Sequence, residues 1–216
     1  MLYKSIIADF NVGAKDICLI CGARTFVKGP ACQDCVANLP RTYSGKTTLD
    51  SIESIDSIWI PFRYSYPLDR LITEAKFHTN VAAMRVLAFL FETAIRSESL
   101  IEPEVLIPIP LHWLRLVRRG FNQSGLLADA AGRALQLPIA HKIGYRQKNT
   151  KPQATLGAAQ RKENIQGAFR VQVINPSAAV CIIDDVVTTG ATASAFAAAL
   201  REIGYKRISL WALAQA

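Results

Sequence analysis

Two adjacent carboxylates and a run of hydroxyl residues stand close together near the end of the sequence. Residues 179–194 read AVCIIDDVVTTGATAS, so that Asp184 and Asp185 end an apolar run and an alanine-rich segment follows. This pattern predicts a buried strand, a turn and a helix. Because backbone N–H groups of such a turn and the helix N-terminus favour an anion, we expect a phosphate site. The expected phosphate-binding residues are Thr188, Thr189, Gly190, Ala191 and Thr192.

The acid pair must bind a different group from the phosphate, because the negative carboxylates would repel the negative phosphate. Two carboxylates suit the hydroxyls of a sugar or a hydrated metal ion, so we expect a sugar phosphate as the ligand. An ordinary strand and helix with an incidental acid pair is the alternative, but carboxylates at the end of an apolar strand are costly without partners. The sequence contains neither a Walker loop nor a Gly-x-Gly-x-x-Gly motif.

The positive charge is concentrated in one stretch of the chain. The net charge is +8, and residues 111–170 carry 11 Lys and Arg against two acids, whereas residues 1–110 carry 11 against 12. A solvated basic face is one explanation. The neighbouring phosphate motif favours a site for a polyanion, either pyrophosphate or nucleic acid.

The bulk composition favours a globular and soluble chain. Apolar residues make up 50% of the sequence and charged residues 19%, which excludes an intrinsically disordered class. We find no signal-peptide pattern at the start, and the most apolar stretch, residues 81–95, contains two charges and is too short to span a bilayer. We therefore expect a cytoplasmic protein.

Four of the five cysteines form two Cys-x-x-Cys pairs within eighteen residues. Cys18, Cys21, Cys32 and Cys35 have the spacing of a tetrahedral Zn²⁺ site, and we expect this site to be structural. Two disulfides or a duplicated redox motif are less consistent with a chain of this class. Cys181 lies within an apolar run and is expected to be buried.

The remaining pattern predicts an α/β fold with a parallel sheet. We expect strands at 58–64, 104–110, 137–146 and 207–213, and helices at 67–77 and 122–135. The loop 111–121 then lies at the carboxyl end of the sheet, where such folds bind ligands. It carries Arg115, Arg118 and Arg119.

Two polar stretches separate these elements. Residues 41–56 are expected to form a linker. Residues 147–166 include Arg161 and Lys162, and their length and composition predict a lid that closes over an anionic ligand. Such a lid would protect a cation-like sugar intermediate from water.

Residues 179–194 resemble the phosphoribosyl-pyrophosphate (PRPP) loop of the type I phosphoribosyltransferases. The segments LITEAKF (71–77), IPIPLHWLRLVRRGFNQS (107–124) and KPQATLGAAQRKENIQGAF (151–169), with the cysteine module, are similar to the ComF/GntX-like competence proteins. The similarity covers nearly the whole chain, in the family's order. It implies a phosphoribosyltransferase core, a parallel sheet flanked by helices, at residues 46–216. It also implies a small zinc-binding module at residues 1–45.

The resemblance also implies roles for individual residues. Asp184 and Asp185 would bind the ribose hydroxyls and carry any catalysis, and the hydroxyl-rich turn would bind the 5′-phosphate. Mg²⁺ would bridge pyrophosphate and ribose. The residues implied for pyrophosphate or DNA are Arg118 and Arg119, followed by Lys76 and Arg161. Val187 replaces a methionine that is common in the family.

The implied biological role is the handling of incoming single-stranded DNA during natural transformation, beside the ComFA helicase and DprA. An active phosphoribosyltransferase of nucleobase salvage is the alternative, although such an enzyme does not need a four-cysteine module. A third possibility is that this module docks a protein partner. Aromatic residues that could stack DNA bases in the basic stretch are Trp113, Phe121, Tyr145 and Phe169.

Overall fold

The computed structural model describes residues 17–25, 29–42, 52–100, 103–147, 167–172 and 175–216. Its strands are β1 (Ser57–Trp59), β2 (Phe62–Arg63), β3 (Val105–Pro108), β4 (Gly144–Arg146), β5 (Phe169–Val171), β6 (Ala179–Val187) and β7 (Arg207–Gln215). Its helices are α1 (Gln33–Ala37), α2 (Leu68–Phe77), α3 (Val81–Arg96), α4 (Trp113–Arg119), α5 (Gln123–Leu135) and α6 (Ala191–Glu202).

The main sheet has five strands, all of them parallel. Its order is β1-β7-β6-β3, and β2 also pairs with β7. The register places Pro108 beside Ile183 and Ala212 beside Asp184, so that the carboxyl ends of β3, β6 and β7 lie near the acid pair. The structure therefore confirms the predicted parallel sheet.

Helices cover both faces of this sheet, as expected for parallel strands whose two faces are apolar. On one face, Ile72 of α2, Leu87 of α3 and Leu127 of α5 belong to the same buried cluster. On the other face, Phe196 and Leu200 of α6 belong to a second cluster. The two long strands β6 and β7 contribute to both clusters, which fixes their position in the centre of the fold.

The most apolar segment of the sequence forms α3. Asn80 caps the helix, because its Oδ1 accepts a hydrogen bond from the Ala83 N–H at 3.1 Å. Nine of its sixteen residues are buried, which accounts for the apolar composition. Within the described ranges, no helix combines the length and the hydropathy needed to cross a bilayer.

The strand predicted at residues 137–146 is wrong as a continuous element. Ile139 makes only an isolated parallel bridge to Leu106, and the chain then turns before β4, which pairs antiparallel with β5 in a separate two-stranded sheet. Pro138 lacks a backbone N–H and cannot continue a regular ladder. The β4–β5 hairpin instead packs on α6, where a Cβ on Gly144 would lie 3.0 Å from Phe196.

The structure differs from the sequence prediction at two further positions. The strand predicted at 58–64 is divided at Ile60-Pro61, since Pro61 has no N–H to donate, and both halves pair with β7. The loop predicted at 111–121 contains α4. This helix begins where His112 Nδ1 accepts from the Leu114 N–H at 3.3 Å and ends at Gly120, which has φ +77°.

Candidate functional site

The acid pair lies inside β6 rather than after it. The strand continues through both residues to Val187, and its pairing with β7 at Asp184 and Val186 holds their backbone in place. Asp184 Oδ1 accepts hydrogen bonds from Ser124 Oγ at 3.1 Å and from the Asp185 N–H at 2.9 Å. Ser124 lies in the first turn of α5, so this helix helps to position the carboxylate.

Lys76 supplies the positive charge closest to the pair. Its Nζ lies 3.0 Å from Asp185 Oδ2, and the two side chains are 21% and 13% exposed. Lys76 belongs to the last turn of α2, where the helix dipole also favours a cation. The structure therefore places this predicted pyrophosphate residue against the acid pair itself.

The two carboxyl groups differ in their surroundings. Burial raises the pKa of Asp184 to about 7, and the charge of Asp185 acts in the same direction. Lys76 and the hydrogen bonds from Asp185 and Ser124 oppose this change. Asp184 therefore titrates close to neutral pH in the ligand-free protein, whereas Asp185 has a direct cationic partner.

The predicted phosphate-binding turn lines a small open cavity. Gly190 begins α6 in the left-handed region with φ +73°, and a Cβ at this position would lie 2.5 Å from Ile52 Cδ1. Glycine thus satisfies both the backbone angle and the packing of Ile52. Thr189 and Asp185 are not in the cavity wall. The lining residues are Asp184, Val186, Val187, Thr188, Gly190, Ala191, Thr192 and Ala193.

The cavity combines donors for an anion with an acceptor for hydroxyl groups. The N–H groups of the first helical turn have no acceptor within the helix and point along its axis. Asp184 lines the same cavity. This juxtaposition has the chemistry that a sugar phosphate would need.

The three arginines of the basic loop lie on α4. Arg119 Nη1 donates to Gln123 Oε1 at 3.3 Å, and its guanidinium carbon lies 5.9 Å from the centre of the Phe77 ring. Burial lowers the pKa of Arg119, while the charge of Asp185 raises it. Arg119 is therefore close to the acid pair. Arg118 is exposed on the same helix. Arg161 and residues 148–166 of the lid predicted at 147–166 lie outside the described residues.

Arg146 is a buried cation that the sequence analysis did not select. It ends β4, it is 6% exposed, and its guanidinium carbon lies 5.5 Å from the centre of the Phe169 ring. Burial lowers its pKa to about 10. The charge of Arg115 lowers this pKa further, whereas the charge of Asp184 raises it. In the sequence Arg146 is a basic residue in an apolar stretch, and this pattern does not indicate which residues it contacts in the fold.

The four N-terminal cysteines converge as their spacing predicted. Their Sγ atoms all lie within 4.8 Å of one another, and those of Cys21 and Cys32 are 3.9 Å apart. Tetrahedral Zn–S bonds of about 2.3 Å place sulfur atoms about 3.8 Å apart, so this group has the dimensions of a zinc site.

Backbone N–H groups surround two of these sulfur atoms. Ile20 and Cys32 donate to Cys18 Sγ at 3.4 and 3.3 Å, and Cys35 donates to Cys32 Sγ at 3.5 Å. Burial opposes ionisation of Cys18, but hydrogen bonds outweigh it and lower the pKa to about 6. Burial and the neighbouring thiols raise the pKa of Cys35. A divalent cation would favour the thiolate form of all four.

Curated proteins similar to the chain are found in several bacteria. "Competence protein F" of Haemophilus influenzae is 34% identical over 206 residues, which cover 92% of this chain and 84% of that protein. The chain belongs to the competence protein F family. "DNA utilization protein YhgH" of Escherichia coli K12 is 31% identical over 210 residues, covering 94% and 91% of the two chains. No family model matches the sequence.

Solved structures resemble this member of the competence protein F family only at low similarity. The glutamine PRPP amidotransferase of B. subtilis has a TM-score of 0.44 and 15% identity, covering 65% of this chain and 30% of that chain. Adenine phosphoribosyltransferase of Leishmania tarentolae has a TM-score of 0.35 and 14% identity, with coverages of 76% and 94%. The fold class therefore rests on the parallel sheet flanked by helices, on the cysteine cluster and on the sequence relatives.

The titration of Asp184 gives a prediction for folding stability. Its pKa is about 7 in the folded protein and near the ordinary value of 3.8 in the unfolded chain. Between these values the folded state binds more protons, so this group's contribution to stability falls as pH rises toward 7. Asp184→Asn removes this penalty while keeping the oxygen that accepts from Ser124. We expect its Tm at pH 8 to exceed that of the wild type by about 2–6 °C.

Thermal melts followed by circular dichroism at pH 5 and pH 8 measure this effect. The advantage of Asp184→Asn should shrink at pH 5, where the wild-type carboxyl is largely protonated. Asp185→Asn is the matched control, because it breaks the pair with Lys76 and should show no gain at pH 8. An Asp184→Asn protein that is less stable than the wild type at pH 8 would contradict the assignment.

Proposed function

We propose that the chain binds PRPP together with Mg²⁺ at the β6–α6 turn and acts on single-stranded DNA during DNA uptake. The observation that carries the proposal is the cavity in which Asp184 and the first amides of α6 lie side by side. The names of the relatives, a competence protein and a DNA utilization protein, support the role in DNA uptake.

Each part of PRPP has a chemical counterpart among the described residues. The hydroxyls of Thr188 and Thr192 and the amides of the first helical turn suit the 5′-phosphate. Asp184 and Asp185 suit the two ribose hydroxyls, because ionised carboxylates only accept hydrogen bonds. Carboxylate oxygens are also suitable Mg²⁺ ligands, and a bound Mg²⁺ would neutralise part of the pyrophosphate charge.

Calorimetric titration of Mg²⁺-PRPP into Asp185→Asn and wild-type protein tests this proposal. We expect the substitution to weaken affinity by roughly tenfold or more, since it removes a charged acceptor from the ribose hydroxyls. Glu98→Gln is the control, because it removes one negative charge from an exposed position just after α3. Equal PRPP affinity in Asp185→Asn and the wild type, or no PRPP binding by the wild type, would refute the proposal.

The proposed DNA surface includes the exposed side of α4. Arg118 is exposed there, and Trp113 and Tyr145 are 63% and 55% exposed, so both rings are accessible to bases. Of the four aromatic residues selected from the sequence, Phe121 and Phe169 are buried and belong to the core. The excess charge of residues 111–170 supports binding to a phosphate backbone.

Fluorescence anisotropy with a labelled oligothymidine at several salt concentrations tests the DNA proposal. Arg118→Ala should weaken binding and reduce the salt slope by about one, because one phosphate contact is lost. Trp113→Ala should weaken binding at every salt concentration without changing the slope. Arg96→Ala is the control, since Arg96 pairs with Glu92 at the end of α3 and lies outside the basic stretch. Unchanged binding in both test variants would refute this surface.

We also propose that residues 1–45 form a structural zinc module and residues 46–216 the phosphoribosyltransferase-like domain. The four converging sulfur atoms support the first part. The two parts are in contact, because a Cβ on Gly29 would lie 2.9 Å from the Phe89 ring of α3, and Arg41 bridges to Phe62 of β2. The ComFA helicase and DprA stay predicted partners on the family resemblance alone.

Metal analysis of the purified protein tests the zinc proposal. We expect about one zinc ion per chain, and a strong chelator should lower the Tm, because metal binding contributes to folding. Cys32→Ser should abolish stoichiometric zinc, whereas Cys181→Ala should retain it, since Cys181 is buried in β6 away from the cluster. Full zinc content in Cys32→Ser would contradict the assignment.

A further inference from the structure

Residues 52–56, just before β1, contain a tight turn with an unfavourable backbone conformation. The Ile55 N–H donates to the Ile52 carbonyl oxygen at 3.1 Å, and Ser54 between them has φ +70°. This is the left-handed region, which a residue with a Cβ seldom adopts unless neighbouring contacts hold it there. The turn therefore requires support from another part of the fold.

Arg201, in the last turn of α6, provides this support. Its Nε donates to the Ser54 carbonyl oxygen at 3.2 Å and its Nη2 to Asp56 Oδ1 at 2.5 Å. Its Nη1 donates to the carbonyl oxygens of Tyr205 and Lys206. A guanidinium can serve several acceptors at once, because its five N–H donors are fixed in one plane. One side chain thus joins residues 52–56 to the C-terminal end of α6.

Asp56 extends this connection to the main sheet. Its N–H donates to the Ile208 carbonyl oxygen at 2.8 Å, and its Oδ2 accepts from the Ile208 N–H at 2.7 Å. Because Oδ1 accepts from Arg201, the same carboxylate joins α6 to β7. The Asp56 side chain is 53% exposed, so the ion pair alone contributes little to stability. Its fixed geometry is the more important property.

The start of the same segment lies against the other end of α6. Ile52 is 6% exposed, and its Cδ1 lies 2.5 Å from the position that a Cβ on Gly190 would occupy. Ile52 and Phe196 belong to the same apolar cluster. Residues 52–56 therefore contact α6 at both ends, through Ile52 at the N-terminal glycine and through Arg201 in the last turn.

We propose that Arg201 is a positioning residue for the β6–α6 turn. By holding residues 52–56 in their conformation, it keeps Ile52 packed on Gly190, and this packing fixes the direction of the first N–H groups of α6. The consequence for ligands rests on the proposed function, because an anion bound by those N–H groups is sensitive to their direction. Arg201 acts through Ile52 and does not itself contact the ligand.

The test compares full-length Arg201→Gln with the wild type in two measurements. The first is the position of the Gly190 and Ala191 amide resonances in ¹H–¹⁵N spectra without ligand, and the second is the affinity for Mg²⁺-PRPP by calorimetry. Arg207→Gln is the matched control. Arg207 also pairs with an exposed carboxylate, that of Glu104 at 2.8 Å, and its other contact is with the Ser177 carbonyl oxygen.

We expect Arg201→Gln to move both amide resonances and to weaken PRPP binding by roughly threefold to tenfold, because residues 52–56 lose their support. Arg207→Gln should leave both measurements unchanged. All variants are compared well below their Tm, so that general destabilisation does not affect the result. If Arg201→Gln does not fold, Arg201→Lys replaces it. That variant keeps the charge but not the planar fork, and it should change both measurements in the same direction.

Three results overturn the inference. Wild-type amide resonances in the folded Arg201 variant show that this side chain does not position the turn. Moved resonances with wild-type PRPP affinity show a structural role only. Equal changes in Arg207→Gln show a general effect of the lost charge. Absence of PRPP binding by the wild type refutes the proposed function instead, and the resonances of the ligand-free protein then decide the positioning role by themselves.

Discussion

The ion pair between Lys76 and Asp185, with 3.0 Å between Nζ and Oδ2, is the contact on which the arrangement of the site depends. Two consecutive carboxylates within a parallel strand repel each other. A cation from another element is therefore required. Lys76 provides it from the end of α2, which ties this helix to the carboxyl edge of the sheet. Burial and the charge of Asp185 nevertheless raise the pKa of Asp184 to about 7, although Lys76 opposes this change.

Gly190 gives a second constraint on the same site. Its positive φ and the close approach of Ile52 leave no space for a side chain at the start of α6. Ile52 belongs to the segment that precedes β1, and Asp56 of the same segment accepts a hydrogen bond from the Ile208 N–H of β7 at 2.7 Å. Residues 52–56, just before β1, thus pack directly on the turn at Gly190. A substitution that moves Ile52 would therefore alter the packing at Gly190.

Local patterns in the sequence were sufficient for some parts of this structure. The order of apolar strand, acid pair, hydroxyl-rich turn and alanine-rich helix predicted β6, the cavity and α6, because each depends on neighbouring residues. Cysteine spacing predicted the cluster for the same reason. The pairing of Lys76 with Asp185 joins residues 109 positions apart, and no local pattern indicates which cation the acid pair selects.

Other elements depend on tertiary contacts that sequence periodicity does not show. Residues 137–146 read as one strand, but Pro138 and the packing of Gly144 on Phe196 direct their second part into a hairpin. As a result, Arg146 ends a strand of the smaller sheet, and its burial against Phe169 could not be predicted from the sequence. The seven-residue helix α4 was likewise missed, because residues 111–121 were predicted to form a basic loop. It places Arg119 near the acid pair and leaves Arg118 exposed.

The central claim is that the cavity between the first turn of α6 and Asp184 of β6 holds the phosphate and ribose of PRPP. A crystal structure of the protein with Mg²⁺-PRPP tests it most directly. The account predicts the 5′-phosphate against the amides of residues 190–192 and the ribose hydroxyls within hydrogen-bond distance of Asp184 and Asp185. Density for PRPP at another location, with these carboxylates contacting only Lys76 and Ser124, would contradict it.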